Sequence, residues 1–192
     1  MASVPDYYPK VNLILEPLKN NVGEFKGGPT GVTIHYTASR DLKSTHNTLL
    51  ERGLNYHMII DRDGMVTQTA IMTQRVHHAG PAAWRGKSPN RHHIAIALLN
   101  WGRLNNGRTW AGQGIPREDI VTKKGVQWHK ATAQQERALL EVCRWLVCMG
   151  IDPDMICGHD ECCLPKGRKT DPGGILSYSM PKLRRLVTSA MI

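Results

Sequence analysis

In the stretch HHIAIALLN, residues 92–100, apolar side chains occupy both alternating faces: Ile94, Ile96 and Leu98 on one, Ala95, Ala97 and Leu99 on the other. A strand with that pattern is covered on both sides, so it belongs at the centre of a sheet with helices over each face. The expected class is therefore α/β in one domain, and 192 residues at 41% hydrophobic content suffice to bury such a core. No internal repeat, low-complexity segment or second domain boundary interrupts the chain.

The flanking sequence supplies elements for both layers. GVTIHY (31–36), rich in β-branched residues and preceded by GGPTG, predicts a strand ending in His35 and Tyr36. Leu42, His46, Leu49 and Leu50 have helical spacing between Asp41 and Arg52, and Gly53 is a suitable stop. YHMIID and MVTQTA flank RDG, whose Asp-Gly is a hairpin signal, so these two strands are expected to be antiparallel neighbours. Thr132 and Gln135 make a capping box ahead of the apolar stripe Leu139, Val142, Leu146 and Met149, which stops at Gly150. A last helix is expected from about Pro181 to Ser189. Residues 1–28, with scattered Pro, Gly and Lys, read as an N-terminal arm, leaving 29–192 as the folded domain. Residues 101–130 are Gly-rich and basic, carry Trp101, Trp110 and Trp128 and show no sustained period, so a long surface loop or lid is expected there.

Composition excludes several classes. No apolar run approaches the roughly 20 residues that span a bilayer. The start, MASVPDYYPK, lacks the charged-then-apolar layout of a signal peptide, so synthesis and folding in a cytoplasm are expected. Five cysteines, at 143, 148, 157, 162 and 163, are an odd number without secretory context, which argues against a disulfide framework and for small buried thiols. The net charge of +9 favours a polyanionic partner: nucleic acid, an acidic membrane face or an anionic cell-wall polymer. No stacked-aromatic or helix-in-groove motif supports the first of these.

The chemistry concentrates in GHDECCLPKGRKTDPGG, residues 158–174. Nine histidines are many for this length; His46 and His129 read as exposed, while His57 and the pairs at 77–78 and 92–93 read as packed or hydrogen-bonded. His35 at a strand end, His159 at a loop start and Asp171 in a TDPGG turn stand apart. A catalytic zinc takes three protein ligands and keeps a fourth position open, and these three residues could supply them. Pro172 restricts Asp171 to an extended backbone, and the glycines that follow let the chain turn away. A rival set, Cys157, His159, Cys162 and Cys163, could form a closed structural zinc site, although adjacent cysteines rarely both reach one tetrahedral ion and no distant second pair completes the usual spacing.

The same stretch resembles the C-terminal zinc motif of the type 2 N-acetylmuramoyl-L-alanine amidases, roughly GH, a short insert, then GRKTDPG. GVTIHYTAS is similar to that family's first-ligand strand and NYHMIIDRDGMVTQ to the hairpin that follows. VHHAGPAAWRG and IAIALLNWG resemble its substrate-groove and central-strand region, so the likeness runs from about residue 31 to 189. NWG and GVQWHKATAQQ are similar to phage and prophage members in particular. The fold this implies is the mixed α/β domain shared with peptidoglycan recognition proteins, with a central, mostly antiparallel mixed β-sheet and helices on both faces.

The resemblance also implies chemistry, namely hydrolysis of the amide between the lactyl group of N-acetylmuramic acid and the first L-alanine of the stem peptide. It makes His35, His159 and Asp171 the ligands of a Zn2+ ion, Lys169 the cation beside the reacting carbonyl and Tyr56 a catalytic hydroxyl. His78 and Trp84, in VHHAGPAAW, are implied to line the sugar or peptide groove. In many members the central strand reads like IGIEL, and its glutamate takes a proton from the attacking water; Ala97 stands at that position here. Two readings stay open, an endolysin-type wall-lytic enzyme and a peptidoglycan-binding relative with weak or no turnover. Peptidoglycan is the expected partner of a monomeric chain, without nucleic acid or stable membrane association. The expected place of action is the bacterial cell wall, reached in the host periplasm if the chain is a phage lysin.

Overall fold

The computed structural model describes residues 3–15 and 21–189. Residues 1, 2 and 16–20 of the expected arm, and 190–192 of the expected domain, lie outside the described residues. In chain order the elements are β1 (Leu13–Ile14), β2 (Asn21–Glu24), β3 (Gly31–Tyr36), α1 (Leu42–Glu51), β4 (Met58–Ile60), β5 (Val66–Gln68), β6 (Gln74–Val76), α2 (Pro89–His92) and β7 (His93–Leu98). They continue as β8 (Arg103–Leu104), β9 (Ile120–Lys123), β10 (Val126–His129), α3 (Ala133–Cys148), β11 (Ile156–Gly158), α4 (His159–Cys162) and α5 (Met180–Thr188).

Six strands form the main sheet in the order β1-β5-β4-β7-β3-β11. The doubly apolar strand β7 lies inside it, every residue buried, between β3 and β4. Val32, Ile34, Ile94, Ile96 and Leu98 face one layer, where they pack with Leu139, Val142 and Leu146 of α3 and Leu183 and Val187 of α5. The opposite face carries Ile59, packed with Leu99 and with Leu49 of α1. Helices therefore cover both faces, and truncating one of these fully buried leucines, Leu139→Ala for example, should cost about 2–5 kcal/mol.

The sheet is mixed, as expected, but the balance of directions is the reverse of the expected mostly antiparallel one. Among its neighbours only β4 and β5 run antiparallel, across the Asp-Gly hairpin. The pairs β1–β5, β4–β7, β3–β7 and β3–β11 are all parallel. Parallel neighbours need a crossover connection, and the chain between β3 and β4 carries α1, while that leading into β11 carries α3.

Both long helices start at capping boxes, the one at Thr132 read from the sequence and the one at Asp41 found only in the structure. Asp41 caps α1 by accepting from the Ser44 N–H at 2.7 Å, and Ser44 Oγ accepts in return from the Asp41 N–H. Thr132 and Gln135 do the same for α3. The buried Gln135 amide also donates to the carbonyls of Ile60 and Leu99, so the cap fastens α3 to the ends of the central strands.

Three further expectations are corrected. Residues 101–130 are not a loop: β8, β10 and β9 form a second, three-stranded antiparallel sheet within them. Lys124 and Gly125 both adopt positive φ between β9 and β10, the geometry of a tight two-residue hairpin turn. His129 on β10 is buried rather than exposed, and its Nδ1 accepts from the Trp101 N–H, while His46 is half-buried. The start of the segment read as an arm packs on the domain: Val4 and Tyr8 join the main core, and Tyr8 meets Trp145 edge-on with 5.1 Å between centroids.

Candidate functional site

Parallel strands β3 and β11 end side by side, and in such sheets the carboxyl ends of neighbouring strands form the crevice where ligands bind. His35 is the penultimate residue of β3, and His159 follows β11 directly as the first residue of α4. Asp171 arrives from the loop between α4 and α5. All three side chains are buried, and one ligand atom from each lies within 4.8 Å of the others.

The hydrogen-bond pattern tests whether a cation fits. His159 Nε2 is 2.9 Å from the Ala79 carbonyl oxygen, which can only accept, so Nε2 carries the ring proton. Nδ1 faces Asp171 Oδ2 at 2.9 Å, a separation that a shared proton or a cation bound to both atoms can bridge. His35 has a similar arrangement, with Nδ1 2.8 Å from the same Oδ2 and Nε2 3.0 Å from His78 Nδ1. Burial pushes the His35 imidazole down to about 4, so it is neutral, and able to ligate, at neutral pH. Burial pushes the Asp171 carboxyl up, but the adjacent His159 and His35 outweigh it and hold the group well below the usual carboxylate range. Two imidazoles tied from behind and one carboxylate make a donor set suited to zinc with an open position.

The Asp171 loop is braced on three sides. A Cβ on Gly173 or Gly174 would come within 2.5 Å and 2.4 Å of the Trp128 ring, so the glycines allow the loop to lie flat on the indole. The Asp160 N–H donates to the Asp171 carbonyl at 2.7 Å, and Tyr36 Oη pairs with Thr170 Oγ1 at 2.8 Å. His159 is fixed from the other side by Glu161, which accepts from the Gly158 N–H and pairs with Arg184 through two contacts of 2.9 Å and 3.0 Å.

A cleft of about 320 Å3 opens above the three residues, and Tyr56, His78 and Lys169 line it with His159 and Asp171. The Tyr56 ring lies 5.1 Å from that of His35, and burial raises its hydroxyl above the ordinary tyrosine value, with Asp171 adding to the effect. His78 is buried, and its Nε2 has no hydrogen-bond partner among the described residues. Trp84 is not at the cleft: its indole N–H donates to the Asp154 carbonyl and the Arg184 guanidinium lies over its ring at 5.4 Å. Ala97 is the register partner of His35 across the β3–β7 ladder.

The rival cysteine site does not assemble. Cys157 Sγ lies near Thr33 Oγ1 and His93 Nδ1, Cys162 donates to the His159 carbonyl, and Cys163 donates to the carbonyls of Asp160 and Pro165. Among the described residues, His35, His159 and Asp171 are the one group of three or more placed to share a metal ion. Four cysteines are buried and free as expected, while Cys148 is exposed.

The N-acetylmuramoyl-L-alanine amidase (Amidase_2) profile matches residues 26–174, which takes in both site histidines and Asp171. The chain belongs to this family. A curated Rickettsia conorii protein named as an N-acetylmuramoyl-L-alanine amidase is 38% identical over 76 residues, a match that covers 38% of this chain and 28% of that protein. The fold is similar to a crystal structure of AmpD, with a TM-score of 0.61 at 20% identity over 98% of this chain and 100% of that one. It is also similar to Escherichia coli AmiD, solved with anhydro-N-acetylmuramic acid-L-Ala-D-gamma-Glu-L-Lys (TM-score 0.60, 21% identity, 96% and 60% coverage). A third match is the amidase LysC of Clostridium intestinale URNW (TM-score 0.61, 16% identity, 93% and 97% coverage).

For this amidase-family chain, sequence reasoning missed the supports of the site rather than its centre. Trp128 was noted only within GVQWHKATAQQ and among the tryptophans of 101–130, with no role given to it beneath the TDPGG glycines. Arg52, just beyond α1, lines the cleft, and nothing in its local sequence marked it. Arg168 did sit inside the recognised motif; its guanidinium donates to the carbonyls of Ala79 and Pro81 and so ties the loop to the segment that carries His78.

Proposed function

We propose that this chain is a zinc-dependent hydrolase of peptidoglycan, cleaving the amide between the lactyl group of N-acetylmuramic acid and L-alanine of the stem peptide, as an endolysin-type wall-lytic enzyme. The observation that carries the reading is the convergence of His35, His159 and Asp171 on one point at the floor of an open cleft that Lys169 and Tyr56 also line. Membership of the family supports the reaction class, and the muropeptide bound in the AmiD structure supports the substrate class.

His35, His159 and Asp171 would hold the metal. Bound there, zinc supplies Lewis-acid chemistry, polarising the scissile carbonyl and making water more acidic. The chain's own groups act around it. Lys169 brings a positive charge to the cleft, where negative charge on the carbonyl oxygen grows as the amide is attacked. Tyr56 keeps its proton because its hydroxyl is raised by burial, so it donates a hydrogen bond to that oxygen. His78 orients His35 from behind, and the Ala79 carbonyl does the same for His159.

Ala97 favours a second reading, a peptidoglycan-binding relative with weak or no turnover, because a methyl group beside His35 cannot accept a proton. Incubation with purified sacculi separates the two. Release of stem peptides with new N-terminal alanine, abolished by a chelator, supports hydrolysis; retention on sacculi without release supports binding alone. Among the described residues no helix is long and apolar enough to cross a membrane.

A further inference from the structure

The cleft does not end at Arg52. It runs into a second cavity of about 680 Å3 that shares Ser39, Thr48 and Arg52 with it and has Trp101 and Trp110 in its wall. Trp110 is 76% exposed, yet it is not free to turn: its indole N–H donates to the Ala38 carbonyl at 2.7 Å, and its ring meets that of Trp101 edge-on at 6.3 Å. An exposed indole fixed at two points is a ready-made flat apolar surface, ordered before any ligand arrives.

The rest of the wall tells what would lie on that surface. Ser39, Ser44, Thr48 and Gln113 supply neutral hydroxyl and amide groups, and no acidic side chain lines the cavity among the described residues. Of its two cations, Arg40 is paired with Asp41 at 2.9 Å, and Arg52 sits where the cavity meets the cleft. A flat apolar face ringed by neutral hydrogen-bonding groups matches a pyranose ring, whose axial C–H groups pack on an aromatic ring while its hydroxyls and acetamido group reach outward.

We propose that this second cavity is a glycan subsite, in which Trp110 stacks a sugar next to the muramic acid that carries the scissile amide. The inference rests on the peptidoglycan-hydrolase reading and deepens it, since a subsite of this kind directs the chain to polymeric strands rather than to single muropeptides. Trp110 binds remotely from the reacting atoms, so its contribution falls on affinity for substrates long enough to reach it.

The test measures binding of a peptide-free GlcNAc–MurNAc tetrasaccharide by calorimetry, with zinc content and melting temperature as controls. Trp110→Ala, at an exposed position, should fold, keep its zinc and lose at least about tenfold in affinity, while Trp110→Phe, which keeps an aromatic face, should retain most of it. Equal affinities in the parent chain and Trp110→Ala, or no tetrasaccharide binding by the parent, overturn the proposal. A chain that binds the tetrasaccharide through Trp110 but frees no stem peptide from sacculi keeps the subsite and loses the hydrolase reading. One that frees stem peptide without Trp110-dependent binding does the reverse.

Discussion

Ala97 lies directly opposite His35 in the parallel ladder of β3 and β7, and both side chains are buried on the same face of the sheet. A carboxylate grafted at 97 would therefore stand beside the first of the three candidate metal ligands, where a proton acceptor for the attacking water is needed. Ala97→Glu should raise the rate on sacculi by at least about tenfold, towards the 10²–10⁴ that well-placed proton transfer supplies. A stability loss of about 1–3 kcal/mol is expected, because the new carboxylate is buried with few partners. Rate, zinc content and melting temperature together decide; a folded, zinc-loaded variant with no gain in rate shows that position 97 is not where the proton goes.

Zinc should follow the His-His-Asp set alone. His159→Ala is expected to lose stoichiometric zinc and peptide release together, while a Cys162→Ser/Cys163→Ser double variant keeps both. Metal analysis of the two purified variants checks this, and the opposite pattern would return the metal to the cysteines.

Lys169 is exposed and needed by no part of the core, so Lys169→Ala should fold and keep its metal. Its rate on sacculi should fall by at least about tenfold, the low end for removing a charge partner of the transition state, with the loss in turnover rather than in KM. Steady-state kinetics on a soluble muropeptide measures the split, and an unchanged turnover makes Lys169 a surface charge.

Acid should loosen the sheet as it protonates His57. His57 accepts from the Ala95 N–H through Nδ1 and donates to the Gln74 carbonyl through Nε2, so a proton added to Nδ1 must break the first bond. Burial pushes its imidazole down to about 4, below the ordinary 6.5. The unfolded chain thus binds the proton more readily, and the contribution to stability is complete above about pH 6.5 and is lost as the pH falls through 4. Urea unfolding at pH 7 and pH 4.5 should give a lower midpoint at the acid pH, and His57→Gln, whose amide can both accept and donate, should flatten that difference.

Gly174→Ala would place a methyl group 2.4 Å from the Trp128 ring and lift the Asp171 loop. The expected result is a loss of about 1–3 kcal/mol from overpacking and a weaker hold on zinc. Competition with a calibrated chelator reads the second effect, and Trp128→Leu, which makes room, should recover part of the stability in the double variant.

What was legible in the sequence was local. The doubly apolar pattern of residues 93–98, the capping box at Thr132 and the Asp-Gly turn each specify an element by short-range chemistry, and each appears where it was expected. Strand direction was not legible, because it depends on which helices carry the chain across the sheet and not on any strand's own pattern. The sheet at 103–129 escaped because its strands are two to four residues long, and its turn, Lys-Lys-Gly, hides a left-handed lysine that sequence seldom advertises. His159 and Asp171 sat in one compact motif and His35 at a strand end, and the structure brings the three together, whereas Trp84, placed in the groove from its position in VHHAGPAAW, packs against Asp154 and Arg184.

The small sheet at 103–129 links two sites that would otherwise be independent. Its loop presents Trp110 to the outer cavity, and its strand β10 presents Trp128 to the glycines behind Asp171. Exchanging this segment for that of a relative, the obvious way to change which wall polymer is accepted, would also remove the anvil on which the carboxylate ligand rests. With both sites as proposed, selectivity and grip on the ion would be inherited as one piece, and a successful chimera must bring its own indole to the place of Trp128.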